Sequence, residues 1–294
     1  MGADLVVRNA RLVLPETGPM EASLVIRDGR VAELVSSHEE PPAAEILDAK
    51  GRVVLPGLVD PHIHYGWVPP LEERIRAESA FGVSGGVTTF IRYIRRPESY
   101  LELTEEQIDL GNRLHYQDYA VHLTLFNKVQ VAELDQYVER FGVTSFKIYM
   151  NMKGHLGTGV LMDLRPESNR VDPHDVDFST AHLYEVFRAM AQLPVRGRLN
   201  VHCEDGEILS HEIERVRRLG LEGLVAWHCA CPGLSESLAI NQVALLSREH
   251  RVPVYFPHIG SRAAIKALRE ARACGTDFVA ETGPHYLTQT TGSP

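Results

Sequence analysis

The chain is poor in cysteine: four in 294 residues (Cys203, Cys229, Cys231 and Cys274), with no two set as a CxxC pair. That argues against a disulfide framework and fits reduced thiols in a cytoplasmic protein. No apolar stretch reaches the roughly 20 residues that span a bilayer. The first residues, Met1-Gly2-Ala3-Asp4, carry no basic region or cleavage pattern and lead straight into strand-like sequence. Basic residues are outnumbered, 30 Lys and Arg against 39 Asp and Glu, for a net charge of -9. A nucleic-acid groove is therefore not expected. The charges are scattered, without an acidic or basic tail.

What is present is a normal complement for a large core, 44% hydrophobic and 23% charged residues. Fourteen histidines exceed structural need, so their positions matter. Residues 1–55 read as short strands joined by tight turns, with a hairpin signal at Asp28-Gly29 and a further strand pair around Lys50-Gly51. This segment is too small to hold a core alone. From Pro56 the pattern becomes strand, helix, strand, repeated. Strands are expected at 57–60, 87–91, 119–125, 145–150, 199–203, 253–258 and 278–281. Helices are expected at 71–81, 104–114, 132–141, 181–192, 208–219, 235–248 and 262–274. Alternation of this kind implies a parallel sheet covered on both faces. The expected architecture is a (β/α)8 TIM barrel over 56–294 with a small N-terminal β-sandwich portion over 1–55. Seven strands are counted, and the sequence stops at Pro294 without an eighth. The longest connection, 151 to about 180, is rich in Gly, Pro, Asp and Asn, as loops that shape substrate sites often are.

Chemistry-bearing residues gather at the expected C-terminal ends of strands, where barrel enzymes build their sites. His62-Ile63-His64 follows the first strand. In an extended segment residues i and i+2 project to one side, so both imidazoles reach one metal; alone, the pair also reads as two surface histidines. Lys147 lies inside an apolar strand, where a cation is costly to bury. Either a carboxylate pairs with it, or its neutral amine takes up CO2 and becomes a carbamate, an anion able to bridge two cations. His202 ends the fifth strand and His258 the sixth. Each alone reads as a structural histidine. Together the set supplies two imidazoles for each of two metals and a bridge between them.

These residues, with Leu55-Pro56-Gly57-Leu58-Val59-Asp60-Pro61-His62-Ile63-His64, Gly85-Gly86-Val87-Thr88-Thr89, Ser145-Phe146-Lys147, Val201-His202-Cys203-Glu204-Asp205 and Glu281-Thr282-Gly283-Pro284-His285-Tyr286-Leu287-Thr288, resemble the cyclic-amidase branch of the amidohydrolase superfamily. That branch holds dihydropyrimidinases (hydantoinases), allantoinases and dihydroorotases, and the matching stretches keep its order along the whole chain. The resemblance implies hydrolysis of the carbon–nitrogen bond of a cyclic amide or ureide by a hydroxide shared between two divalent ions, zinc by expectation. His62 and His64 would hold the more buried ion, His202 and His258 the more exposed one, and carbamylated Lys147 both. A homo-oligomer, dimer or tetramer, is implied as well.

The sequence departs from that pattern at three points. The branch places a metal-binding aspartate, the general base, on an eighth strand, and no residue here fills that role; either the chain is a piece of a longer protein or it is incomplete as a catalyst. Asp277 opens the seventh strand, at its wrong end. Hydantoinases carry an oxyanion-steadying tyrosine five residues after the lysine, where this chain has Met152; Tyr149, two residues after Lys147, is the substitute candidate. Dihydroorotases carry an arginine two residues after the histidine pair, where this chain has Gly66. Arg92, in Ile91-Arg92-Tyr93-Ile94-Arg95-Arg96, is a candidate carboxylate clamp or part of a surface charge cluster. His228-Cys229-Ala230-Cys231 reads as a helix-linking loop, with His228 near a recurrent family histidine. A non-catalytic homologue serving as an assembly or signalling scaffold is the alternative function.

Overall fold

The computed structural model describes residues 2–14, 18–39, 41–65, 70–151 and 176–293. Two compact units emerge, Met1–Leu58 and Val59–Pro294. Met152 and Gly66 both lie outside the described residues.

In the first unit β1 (Ala3–Leu14) is the central strand, with β2 (Gly18–Arg27) antiparallel on one side and β3 (Arg30–Ser36) beyond it. The β2–β3 turn falls at Asp28-Gly29, both at positive φ (51° and 69°), as a two-residue type I′ hairpin requires. The segment around Lys50-Gly51 departs from expectation. Its two strands, β4 (Ala43–Asp48) and β5 (Val53–Val54), do not pair with each other; both run parallel to β1. Parallel partners need no tight hairpin register, so the Lys50-Gly51 turn signal gave the break without the pairing.

The second unit is a sheet of seven strands laid side by side in chain order, the wall of a barrel of the (β/α)8 type. They are β6 (Leu58–Ile63), β7 (Val87–Ile94), β8 (Asp118–Thr124), β9 (Ser145–Tyr149), β10 (Arg198–His202), β11 (Val254–Phe256) and β12 (Phe278–Ala280). From β7 to β12 every adjacent pair is parallel. Helices alternate with these strands: α1 (Leu71–Ser84), α2 (Tyr100–Leu114), α3 (Lys128–Ala132), α4 (Leu134–Phe141), α5 (Thr180–Met190), α6 (Gly206–Arg218), α7 (Gly223–Ala230), α8 (Gly233–His250), α9 (Arg262–Ala273) and α10 (Pro284–Thr288). None of them, among the described residues, is long and apolar enough to cross a membrane.

Local chemistry sets these elements. Helix α9 starts at Ser261, whose hydroxyl accepts from the Ala264 amide at 3.0 Å, and buries Ala264, Ala267, Leu268 and Ala271, the spacing of one helical face. Asp205, part of the His-Cys-Glu-Asp run, caps α6 by accepting from Glu207 and Ile208 amides at 3.1 and 3.0 Å. Gly142 closes α4 at φ 67°, where any other residue would be strained. Residues 228–230, expected in a loop, are the last turn of α7, with Cys231 just past it; the two thiols are free.

Strand alternation then divides the side chains. Phe146 and Ile148 of β9, Leu199 and Val201 of β10, and Val254 and Phe256 of β11 join Leu183, Phe187, Ile240, Val243 and Ala267 of the helices in one apolar cluster. Each such large side chain removed from water contributes about 2 kcal/mol. The alternate residues, Ser145, Lys147 and Tyr149 of β9 and Asn200 and His202 of β10, take the other face. That face carries the polar chemistry.

Candidate metal centre

A closed hydrogen-bond network forms the floor. The Tyr93 hydroxyl donates to Asn200 Oδ1 at 3.2 Å. Asn200 Nδ2 donates to Ser145 Oγ at 2.8 Å and to the Phe146 carbonyl at 3.0 Å. His122 contacts Ser145 Oγ through Nδ1 at 2.6 Å and the Pro61 carbonyl through Nε2 at 3.0 Å. A carbonyl only accepts, so Nε2 carries the His122 proton and Ser145 donates to Nδ1. Burial holds His122 down to about 4, which keeps the imidazole neutral, as this pattern needs. Every donor thus has an acceptor, the condition under which a buried polar network rigidifies a core.

Above the floor stand the four expected histidines and the lysine. His62, on β6, and His64, just after it, bring their Nε2 atoms within 3.2 Å. His62 is 5.3 Å from His258 and His258 is 4.4 Å from His202, between ring centroids. The Tyr93 ring supports His62 and His64 at 4.9 and 5.0 Å. Tyr149 flanks His202 at 5.7 Å. Lys147 Nζ lies between these two tyrosines, 5.0 Å from the Tyr93 ring and 4.9 Å from the Tyr149 ring. His64 is exposed, whereas His62, His202 and His258 are half-buried.

Two carboxylates orient these rings. Glu281 Oε1 accepts from His62 Nδ1 at 2.8 Å, and its other oxygen accepts from the Tyr255 hydroxyl. Burial pushes Glu281 up, but the bonds from His62 and Tyr255 outweigh it and hold the acid below its ordinary range. Glu204 Oε2 meets His202 Nε2 at 2.7 Å, and burial pushes this acid up to about 7. A carboxylate accepts the ring N–H, which leaves Nε2 of His62 and Nδ1 of His202 with free lone pairs. Both glutamates stand in the motif stretches of the sequence, and a carboxylate two residues after His202 is the one local signal for Glu204.

His258 reaches the cluster by a backbone device. Alternation would send its side chain to the side of Val254 and Phe256, away from the site. The strand ends at Phe256, and His258 adopts φ 44°, a left-handed conformation uncommon outside glycine. Two bonds fix the segment, Ile259 N–H to the Glu281 carbonyl at 2.7 Å and Glu281 N–H to the Phe256 carbonyl at 2.9 Å. Local strain of this kind gathers at functional sites.

Lys147 tests whether the set suits metal. It is fully buried, and its Nζ has no hydrogen-bond partner among the described residues. Burial pushes its amine down to about 7, so at neutral pH much of it is the uncharged nucleophile that takes up CO2. Burial also drives His202 and His258 well below the ordinary histidine range, which keeps them as neutral lone-pair donors. Among the described residues no three His, Cys, Asp or Glu side chains close on a single ion. Two imidazoles for each ion with a bridging carbamate is the arrangement these residues do fit.

The remaining expected residues fall elsewhere. Arg92 is buried on the helix side of β7, where Nη1 donates to Gln107 Oε1 at 2.5 Å and the guanidinium lies 5.0 Å over Tyr65. It belongs neither to the histidine cluster nor to a surface charge cluster. Tyr149 is beside Lys147, as its spacing suggested. Asp277 pairs with Arg196 at 2.6 Å, and His228 is exposed on α7.

No family model matches the chain. Its sequence is 26% identical to the allantoinase of Bacillus licheniformis, over 98% of this chain and 61% of the relative. It is 25% identical to the L-hydantoinase of Paenarthrobacter aurescens, over 98% of this chain and 59% of the relative. Among solved structures, the L-hydantoinase (dihydropyrimidinase) of Arthrobacter aurescens superposes with a TM-score of 0.83 and 25% identity, covering 98% of this chain and 60% of that one. The chain thus spans about three-fifths of the length of the curated relatives it matches. In sequence and fold alike, it is similar to allantoinases, hydantoinases and dihydropyrimidinases, enzymes of the cyclic-amidase kind.

Proposed function

We propose that the protein is a metal-dependent hydrolase that opens the ring of a cyclic amide or ureide. The observation that carries this reading is Lys147: a buried amine, unpartnered among the described residues, lying between Tyr93, which backs His62 and His64, and Tyr149, which flanks His202. Its uncharged form attacks CO2 at carbon, the amine loses a proton, and the resulting carbamate replaces a costly buried cation with an anion able to serve two ions. His62 and His64 would hold one ion, His202 and His258 the other, and carbamylated Lys147 both. Divalent ions at such a site supply Lewis acidity and make water nucleophilic near neutral pH.

The chain's own groups do the rest. Glu281 and Glu204 keep the ligand nitrogens of His62 and His202 deprotonated and aimed inward. Tyr149 is the candidate donor to the developing oxyanion, and burial keeps its phenol protonated by raising it above its ordinary value. The same reading holds the protein to be a cytoplasmic homo-oligomer.

Metal analysis and native mass measurement of the isolated protein test the site. Two divalent ions and one CO2 adduct, lost together in a Lys147→Ala variant, are expected. Hydantoin, dihydrouracil, allantoin and dihydroorotate test the reaction. A metal-loaded, carbamylated protein that opens none of them would support the scaffold reading instead.

A further inference from the structure

Three arginines stand close together at the end of β7, and alternation separates them. Phe90 and Arg92 face the helices, the former among Ile75, Leu110 and Leu114, the latter against Gln107. Tyr93 faces His62 and His64. Arg95 lies two residues beyond Tyr93, just past the strand's last residue Ile94, and follows the Tyr93 side. Its guanidinium carbon is 5.6 Å over the Tyr149 ring, the same ring that lies 5.7 Å from His202 and 4.9 Å from Lys147 Nζ. A cation is therefore held at the strand ends where the five candidate ligands gather, without being one of them.

Contact with Tyr149 holds the guanidinium in place, and its planar fork of donors matches a carboxylate. Tyr93 and Tyr149 are themselves buried, but Arg95 is only half-buried and offers a ring substituent positive charge. We propose that Arg95 makes the site selective for a cyclic amide or ureide whose ring bears a carboxylate, with the guanidinium as its clamp. This assignment rests on the hydrolase reading above for the ring, and on Arg95 alone for the charge.

The test compares two matched pairs on the metal-loaded protein: dihydroorotate against dihydrouracil, and hydantoin-5-acetate against hydantoin. In at least one pair the wild type should favour the carboxylated ring in kcat/KM. Arg95→Gln should shrink that ratio roughly 10- to 100-fold, the worth of a hydrogen bond to a charged group. Arg95→Lys should keep part of it. A ratio untouched by Arg95→Gln overturns the proposal, as does an equal fall on both rings accompanied by loss of bound metal, which would make Arg95 a support of the ligand set. Calorimetric binding of orotate and uracil gives a readout independent of turnover. Orotate binding that depends on Arg95, in a protein that opens no ring, would sink the hydrolase reading and keep the clamp. Ring opening with orotate bound equally by wild type and Arg95→Gln would do the reverse, and binding of neither ligand overturns the clamp.

Discussion

Glu281 accepts a hydrogen bond from His62 Nδ1 at 2.8 Å, so Nε2 is the His62 nitrogen that meets His64. Only the deprotonated acid can hold that ring with the opposite nitrogen's lone pair exposed. Glu281→Gln keeps the size of the side chain but removes its charge, and its amide can equally turn a donor toward Nδ1. The expected outcome is a loss of roughly 10- to 100-fold in zinc affinity, the usual effect of removing a ligand's carboxylate partner, with the melting temperature nearly unchanged. Zinc titration of the stripped protein against a competing chelator measures it; unchanged affinity would show that His62 is not a ligand.

Lys147 couples the site to pH. In CO2-free, metal-free protein its amine titrates near 7 when folded because of burial, and near 10 when unfolded. Between those values the unfolded chain binds a proton that the folded chain does not, so stability rises with pH from about 7 to about 10. Below 7 both states are protonated and the cost of burying the charge is fully present. Lys147→Met should remove this slope and stabilise the metal-free protein at pH 7 by on the order of 4 kcal/mol. Urea unfolding at pH 7 and pH 9.5 gives both numbers. A wild type whose stability is flat over that interval would contradict the burial of a bare amine.

Arg92 separates a structural cation from a clamp. Buried against Gln107 and Tyr65, it acts through packing and one charged hydrogen bond. Arg92→Met strands the Gln107 carbonyl and should cost about 1–3 kcal/mol, while Arg92→Met with Gln107→Leu should recover most of it. Neither variant should alter the preference between carboxylated and neutral rings. A changed preference without lost stability would return the clamp to Arg92.

Much of this protein is legible in its sequence. The Asp28-Gly29 turn and the alternation of apolar runs with amphipathic segments are local events, decided within one or two turns of chain, and residue type alone settles them. His62 and His64 are two apart on one strand, so their convergence also follows from local geometry. Position within an element was legible too: Lys147 in an apolar strand has to be buried, whatever surrounds it. Tertiary structure decided what depends on partners distant in sequence. Glu281 reaches His62 across 219 residues, and Tyr93, Asn200, Ser145 and His122 join one network only because β7, β8, β9 and β10 lie side by side. The choice between Arg92 and Arg95 turned on which side of β7 faces the helices, and a run of similar side chains does not reveal that parity. His258 needed more still, since strand alternation points it away from the site. A left-handed backbone conformation, fixed by bonds to Glu281 and Phe256, turns it in, and no periodicity in the sequence encodes that turn.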